Sequence, residues 1–201
     1  MEDTIRSQWS HLDINTSAPL ASSWAALLRR GVGVVLEHPV SMRDFMITVL
    51  GMEERYATES VPGLFLNNAP VDDWRSEMVG DGDQVGMSGT MPGLCGIALR
   101  RSSPIRAFRP DLVDRHHSKL KGVATVKMFN FVAVDCCDPV FARGVVVSPD
   151  ALAQYLDDQG ASALGDACRW NGGNVDCGAL REVVASAGGD ILLTVRGEGR
   201  A

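Results

Sequence analysis

The chain has 201 residues, 45% of them hydrophobic and 22% charged, with a formal net charge of −6. That length holds one good core or two small ones, and the composition excludes long disordered tracts. The negative charge disfavours a general nucleic-acid binder, which needs surplus Lys and Arg to neutralise phosphates.

Residues 1 to about 29 mix the apolar Trp9, Ile14, Leu20 and Trp24 with Ser, Asn and Pro that break any long period, and read as an N-terminal extension over 1–30 with a short helix near Ser22 to Arg30. Gly33 to Glu37 is a β-branched run stopped by His38-Pro39, which predicts a strand. Ser41 followed by Asp44 is a capping box with Asp in place of Glu. Met46, Val49 and Leu50 then recur at helical spacing, so a helix is predicted from about Met42 to Met52. Pro62-Gly63 introduces a short strand at Leu64 to Asn67, and Asn68-Ala69-Pro70 turns the chain. Asp81-Gly82-Asp83 turns it again before a strand at Gln84 to Ser88, and Gly96 to Arg101 is read as a further strand.

In the second half, Val123 to Val134 is strongly β-prone. With Asp138-Pro139 as a linking turn, it is predicted to form a hairpin with Gly144 to Val147. Ser148-Pro149-Asp150 starts a helix, with Ser as the cap and Pro at the first helical position; Leu152, Tyr155 and Leu156 make its apolar stripe and Gly160 ends it. A second helix is expected over about Gly178 to Ala187, before Gly188-Gly189 and a strand at Ile191 to Val195. The fold class is therefore α+β. Its expected parts are the extension, a first domain at 31–101, a basic connector at 102–121 and a small α+β domain at 122–201.

Charge falls in blocks. Glu53, Glu54, Glu59, Asp72, Asp73, Glu77, Asp81 and Asp83 make one stretch acidic, and Arg100, Arg101, Arg106, Arg109, Arg115, Lys119 and Lys121 make the next one basic. Two solvated surfaces account for such blocks; the functional alternative is an anion or partner site at the connector. His116 and His117 are neighbours whose side chains diverge on a helix or strand, so they read as loop histidines rather than a shared metal site.

Met1-Glu2-Asp3 carries no basic leader before an apolar stretch, so a cytoplasmic location is expected. The apolar runs at Phe45 to Leu50 and Ile191 to Val195 fall well short of the roughly 20 residues of a spanning helix, so no membrane partner is expected. Five cysteines without a dense, regular spacing make reduced thiols the default; Cys168 and Cys177 are able to approach, but spacing does not establish disulfide geometry.

Three segments together carry a family resemblance: Leu66-Asn67-Asn68-Ala69-Pro70-Val71-Asp72, Asp81-Gly82-Asp83-Gln84-Val85, and the Pro/Gly-rich exit from Met91 to Gly96. With them, residues from about Gly33 to Gly96 resemble the ubiquitin-like β-grasp family of sulfur carriers, which includes the small subunit of molybdopterin synthase and the thiamine-pathway carrier. The resemblance covers about a third of the chain and implies a β-grasp-like N-terminal half. It also implies that the Asp-Gly-Asp turn sets up a final strand, and that the family's chemistry runs through an extended Gly-Gly tail that is adenylated and thiocarboxylated. Here Cys95-Gly96 stands where Gly-Gly is expected and Ile97 continues the chain, while Gly197-Glu198-Gly199-Arg200-Ala201 lacks Gly-Gly too. These departures oppose sulfur-carrier chemistry.

The expected function is a noncatalytic interaction or adaptor module. A protein partner would be bound by Met91, Pro92, Gly93, Leu94 and Gly96 together with Arg100, Arg101 and Arg106, because Pro limits the backbone and Gly permits close approach. The plainer alternative is a buried crossover whose Met91 and Leu94 fill the core. One rival function is a sulfur-transfer or cofactor-assembly component using Cys95, aided by Arg100 or Arg101, or a Gly96 exposed by processing. Another is a small-molecule or anion binder at the junction of the two halves. No cofactor or metal is expected: there is no C-x-x-C pair or G-x-S-x-G elbow, and Trp170-Asn171-Gly172-Gly173-Asn174 is a turn signal rather than a phosphate loop. Asp72-Asp73 and Asp81/Asp83 are explained by turn solvation.

Overall fold

The structure is a computed structural model that describes residues 8–109, 122–160 and 165–197. In chain order its first elements are β1 (Ser10–Thr16), α1 (Leu20–Ser23), α2 (Ala25–Arg30), β2 (Val32–Val35), β3 (Val40–Ser41) and α3 (Met42–Asp44), which continues as a π-helical turn over Phe45–Val49. Then come α4 (Glu54–Glu59), β4 (Gly63–Leu66), β5 (Ala69–Pro70), β6 (Met78–Val79), β7 (Gln84–Ser88), α5 (Gly93–Ala98) and β8 (Val123–Met128). The remainder is α6 (Asn130–Asp135), α7 (Cys137–Arg143), β9 (Val145–Val147), α8 (Pro149–Gln159), β10 (Ala167–Trp170), β11 (Gly173–Val175), α9 (Leu180–Ala185) and β12 (Ile191–Gly197). The class is α+β, in two compact units: a central one of Leu28–Cys136, and a terminal one joining Met1–Leu27 to Cys137–Ala201.

The central unit carries a mixed sheet in the order β2-β8-β7-β4-β5, with a separate β3-β6 ribbon. Its middle pair is parallel, with Gln84 opposite Thr125 and Met87 opposite Met128, and the flanking pairs are antiparallel. Val34, Leu64, Val85, Met87, Val126 and Met128 are buried, as are Met42, Phe45, Met46 and Leu50 of the helical segment. The capping box is present: Ser41 Oγ accepts from Asp44 N at 3.1 Å and donates to Asp44 Oδ2 at 2.7 Å. The helix starts where predicted but widens, with Leu50 N donating to Phe45 O, five residues back, at 2.9 Å. Asn67 and Asn68, at φ 49° and 68°, form the two-residue turn joining β4 to β5; Asn tolerates the left-handed region that such a hairpin requires.

The terminal unit carries the order β11-β10-β1-β12-β9. Residues 10–16 are therefore no extension. They form a strand parallel to β12, from Ser10 opposite Ile191 to Thr16 opposite Gly197. Leu12, Ile14 and Thr16 are buried while Asn15 is exposed, the period-two alternation of a strand. A core of Trp24, Phe141 and Tyr155 packs beside it. The Trp24 and Phe141 rings meet edge-on at 5.6 Å, and the Tyr155 hydroxyl donates to Ser23 O at 2.5 Å.

Three expected elements are corrected. Gly96 to Arg101 forms no strand: Gly93, at φ 76°, turns the chain after Pro92 into the helix α5, leaving one isolated bridge between Arg100 and Gly63. The run from Val123 to Val134 is a strand only as far as Met128, where Asn130, at φ 55°, redirects the chain into α6. The expected hairpin with Gly144 to Val147 is absent, since β8 pairs with β2 and β7 and β9 pairs with β12. Asp138-Pro139 lies in the first turn of α7, where a missing N–H costs no hydrogen bond. Residues 123–136 thus belong to the central unit rather than to the second half.

Candidate functional site

Parallel pairing of β7 and β8 makes both strands leave the sheet on the same side. Met87 lies opposite Met128, and Phe129 N donates to Met87 O at 2.9 Å. From β7 the chain runs through Gly89–Pro92 into α5, and from β8 it runs through Phe129 directly into α6. The two exits are tied together. Asn130 Nδ2 donates to the buried Ser88 Oγ at 3.1 Å, and the Phe131 ring lies over Gly89, where an added Cβ would sit 2.2 Å from Cε1.

Helix α5 is seated against the loop that precedes it. A Cβ on Gly96 would fall 2.3 Å from Met91 O, so only glycine admits this approach. The expected segment Met91–Gly96 is thus neither an extended tail nor a fully buried crossover. Gly96 and Ala98 are buried, while Pro92, Gly93, Leu94 and Cys95 are exposed. Leu94 is 78% exposed, and Ile97 of the same helix is partly exposed. Phe129, Phe131 and Val134 are exposed at the neighbouring exit. Those three were missed in the sequence because a run of apolar residues reads as one strand; the Asn130 that interrupts it was the available signal.

Of the predicted site's three arginines, Arg100 and Arg101 are half-buried and Arg106 is exposed; Arg109 of the basic connector is also half-buried. Arg109 makes a two-point bond to Asp72 and also donates to the carbonyls of Ala98 and Arg100 at 2.7 Å each. These bonds, with Ser102 N donating at 2.9 Å, hold the Asp72 carboxyl below the usual aspartate range, and the Arg109 bond contributes most. Arg101 donates through Nη2 to Ala57 O and Thr58 O at the C-terminal end of α4, where a cation complements the helix dipole. Its guanidinium also stacks 4.6 Å from the Trp74 ring centroid, and burial lowers its pKa. Arg100 buries its Nε, leaving Arg106 as the exposed cation of the predicted set. Arg115, His116, His117, Lys119 and Lys121 lie outside the described residues.

The carboxylates of the turns are engaged in local structure. Asp81 Oδ1 accepts from Gly122 N at 2.7 Å, and Asp83 accepts from Gly80 N and Asn67 Nδ2 at 2.8 Å each. Among the described residues no three His, Cys, Asp or Glu side chains are grouped to hold a metal ion. Cys136 is buried; that burial and the nearby Asp135 push its thiol up to about 12. Tyr56 donates to Asp135 Oδ2 at 2.8 Å, and burial followed by this bond raises its pKa. Reduced cysteines were expected throughout, yet Cys168 and Cys177 form a disulfide across Cα atoms 5.7 Å apart, a geometry that spacing alone could not supply.

No family model, curated protein sequence or solved structure matches the chain. Among the described residues, no helix is long and apolar enough to cross a membrane.

Proposed function

We propose that this protein is a noncatalytic interaction module, built on a β-grasp-like central unit, that binds a protein partner through the surface formed by α5 and the start of α6. The observation that carries this reading is Leu94, 78% exposed on a helix whose backbone is pinned by Gly96 and Met91. Exposed apolar side chains at the two neighbouring strand exits, Leu94 and Ile97 at one and Phe129 and Phe131 at the other, are the kind of surface that partners cover. Burying one leucine contributes about 1.5–3 kcal/mol, and a backbone already fixed loses little entropy on binding. The β-grasp likeness is supported by the helical segment between β2 and β4 and by the antiparallel pairing of β4 with β5 and β7, with the Asn67-Asn68 turn between β4 and β5. Affinity capture with the full chain tests the proposal: Leu94→Asp abolishes recovery of the partner while thermal melting is unchanged, and equal recovery by both proteins overturns it.

A second reading, sulfur transfer or cofactor assembly through Cys95, is favoured by one observation: the thiol is exposed beside Leu94. A Gly96 carboxyl would require hydrolysis of the Gly96–Ile97 peptide bond, which lies inside α5 where Gly96 is buried. Cys95→Ser distinguishes the two readings, since partner capture survives that change only in the first.

A further inference from the structure

From Gly165 to Ala179 the chain is almost entirely at the surface, and Cys168 is the one buried residue among the fifteen. This stretch contains the hairpin of β10 and β11, which turns at Asn171 and Gly172 with φ 48° and 83°. Strand β11 has a single neighbour, β10, and three residues to pair with it. A short two-stranded hairpin without an apolar face of its own is marginal in water. Strand β10 is held along its length by its pairing with β1 and, at the two ends, by Asp166 N donating to Asn15 O at 2.8 Å, Asn171 N to His11 O at 2.9 Å and His11 N to Asn171 Oδ1 at 2.8 Å. Among the described residues, β11 has only β10 and the bond from Cys168 to Cys177. Cys177 opens the 3-10 turn that leads into α9, whose Leu180 and Val184 are fully buried. The disulfide therefore fastens a coreless hairpin to an element that is anchored.

We infer that the Cys168–Cys177 disulfide is a redox-sensitive clip, opened by a dithiol reductant, that sets how firmly β11 and the segment up to Cys177 are held against β10. Cys177 is half-buried and Cys168 is buried, so attack falls on the Cys177 sulfur. One thiolate of the reductant bonds to that sulfur as the bond between the two cysteines breaks, and Cys168 departs as a thiolate and takes up a proton. The second thiol of the reductant then displaces Cys177. The reductant ends as an internal disulfide, two electrons have passed to the protein, and both cysteines end as thiols. The rest of the terminal sheet does not depend on the clip, because β12 pairs along its length with β1 and also with β9. Opening is thus local.

The test is hydrogen exchange on the full chain before and after dithiothreitol, with peptide mapping of alkylated cysteines. The inference expects Cys168 and Cys177 to be protected from alkylation until the reductant is added. Amide exchange across 173–179 then rises by about 10-fold or more while β12 is unchanged, and reoxidation reverses the effect. The Cys168→Ala/Cys177→Ala double variant should reproduce the reduced pattern without reductant. Alkylation of both cysteines beforehand, unchanged exchange after reduction, or loosening of β12 together with the hairpin would each overturn it.

Discussion

Arg109 and Asp72, 37 positions apart, meet in a two-point ion pair, with Nη1 to Oδ2 at 2.7 Å and Nη2 to Oδ1 at 2.8 Å. The pair joins the end of the α5 segment to the strand exit after β5. It engages the Arg109 guanidinium within the fold.

Removing Arg109 tests how much this joint contributes. Arg109→Ala loses the pair and two carbonyl bonds, and should lower the unfolding free energy by about 1–3 kcal/mol. The folded pKa of Asp72 lies below its unfolded value, so the pair's contribution is present above the ordinary aspartate value of about 3.9 and is lost as pH falls through the folded value. Denaturant midpoints of wild type and variant should accordingly differ most at neutral pH, and the gap should narrow in acid to what the two carbonyl bonds contribute.

The seating of α5 on Met91 predicts an order among glycine substitutions. Gly96→Ala places a methyl against a backbone carbonyl that has no room to yield, at a cost of about 1–3 kcal/mol. Gly93→Ala meets nothing within 4 Å and suffers only its positive φ, so it should cost less. Thermal melts of the two variants check the order.

Phe141 fills the terminal core against Trp24. Phe141→Ala should cost about 3–5 kcal/mol, read from denaturant unfolding. Tyr155→Phe, which removes the hydroxyl bond to Ser23 O and keeps the ring, should cost about 1 kcal/mol.

Thiol reactivity should separate the cysteines. Iodoacetamide at pH 8 should alkylate the exposed Cys95 in the folded protein and leave Cys136, whose thiol is buried and pushed up to about 12, until the chain is denatured. Peptide mapping gives the answer directly.

Leu94 contributes nothing to the core, so Leu94→Asp should change stability by no more than about 0.5 kcal/mol. A larger loss in thermal unfolding would mean that its side chain is packed, and would remove the surface on which the proposed function rests.

What was legible in the sequence was local. The Ser41 and Ser148 caps, the turn at Asn171-Gly172, and the strands at β2, β4, β7 and β12 follow from side-chain chemistry acting within a few residues, whereas the turn expected at Asn68-Ala69-Pro70 lies one residue earlier, at Asn67-Asn68, with Ala69-Pro70 in β5. The Met91–Gly96 segment was visible as unusual, and part of it lies at the surface. The shape of the segment was not visible, because the glycine that lets α5 form does so by meeting a carbonyl five residues away in a folded loop.

Tertiary structure alone decided the partners of distant groups. The strand at Ser10–Thr16 carried its alternation openly, yet its place beside β12 depends on residues at the other end of the chain. Arg101 and Arg109 looked available in the sequence, and their engagement follows from a carboxylate and carbonyls brought near only by folding. The sequence by itself determined an α+β protein with well-punctuated helices and turns, since propensity, capping and turn chemistry act over short range. Which strands pair, which cysteines bond and which apolar residues remain exposed were decided by the fold, since burial and long-range contact have no counterpart in a linear chain.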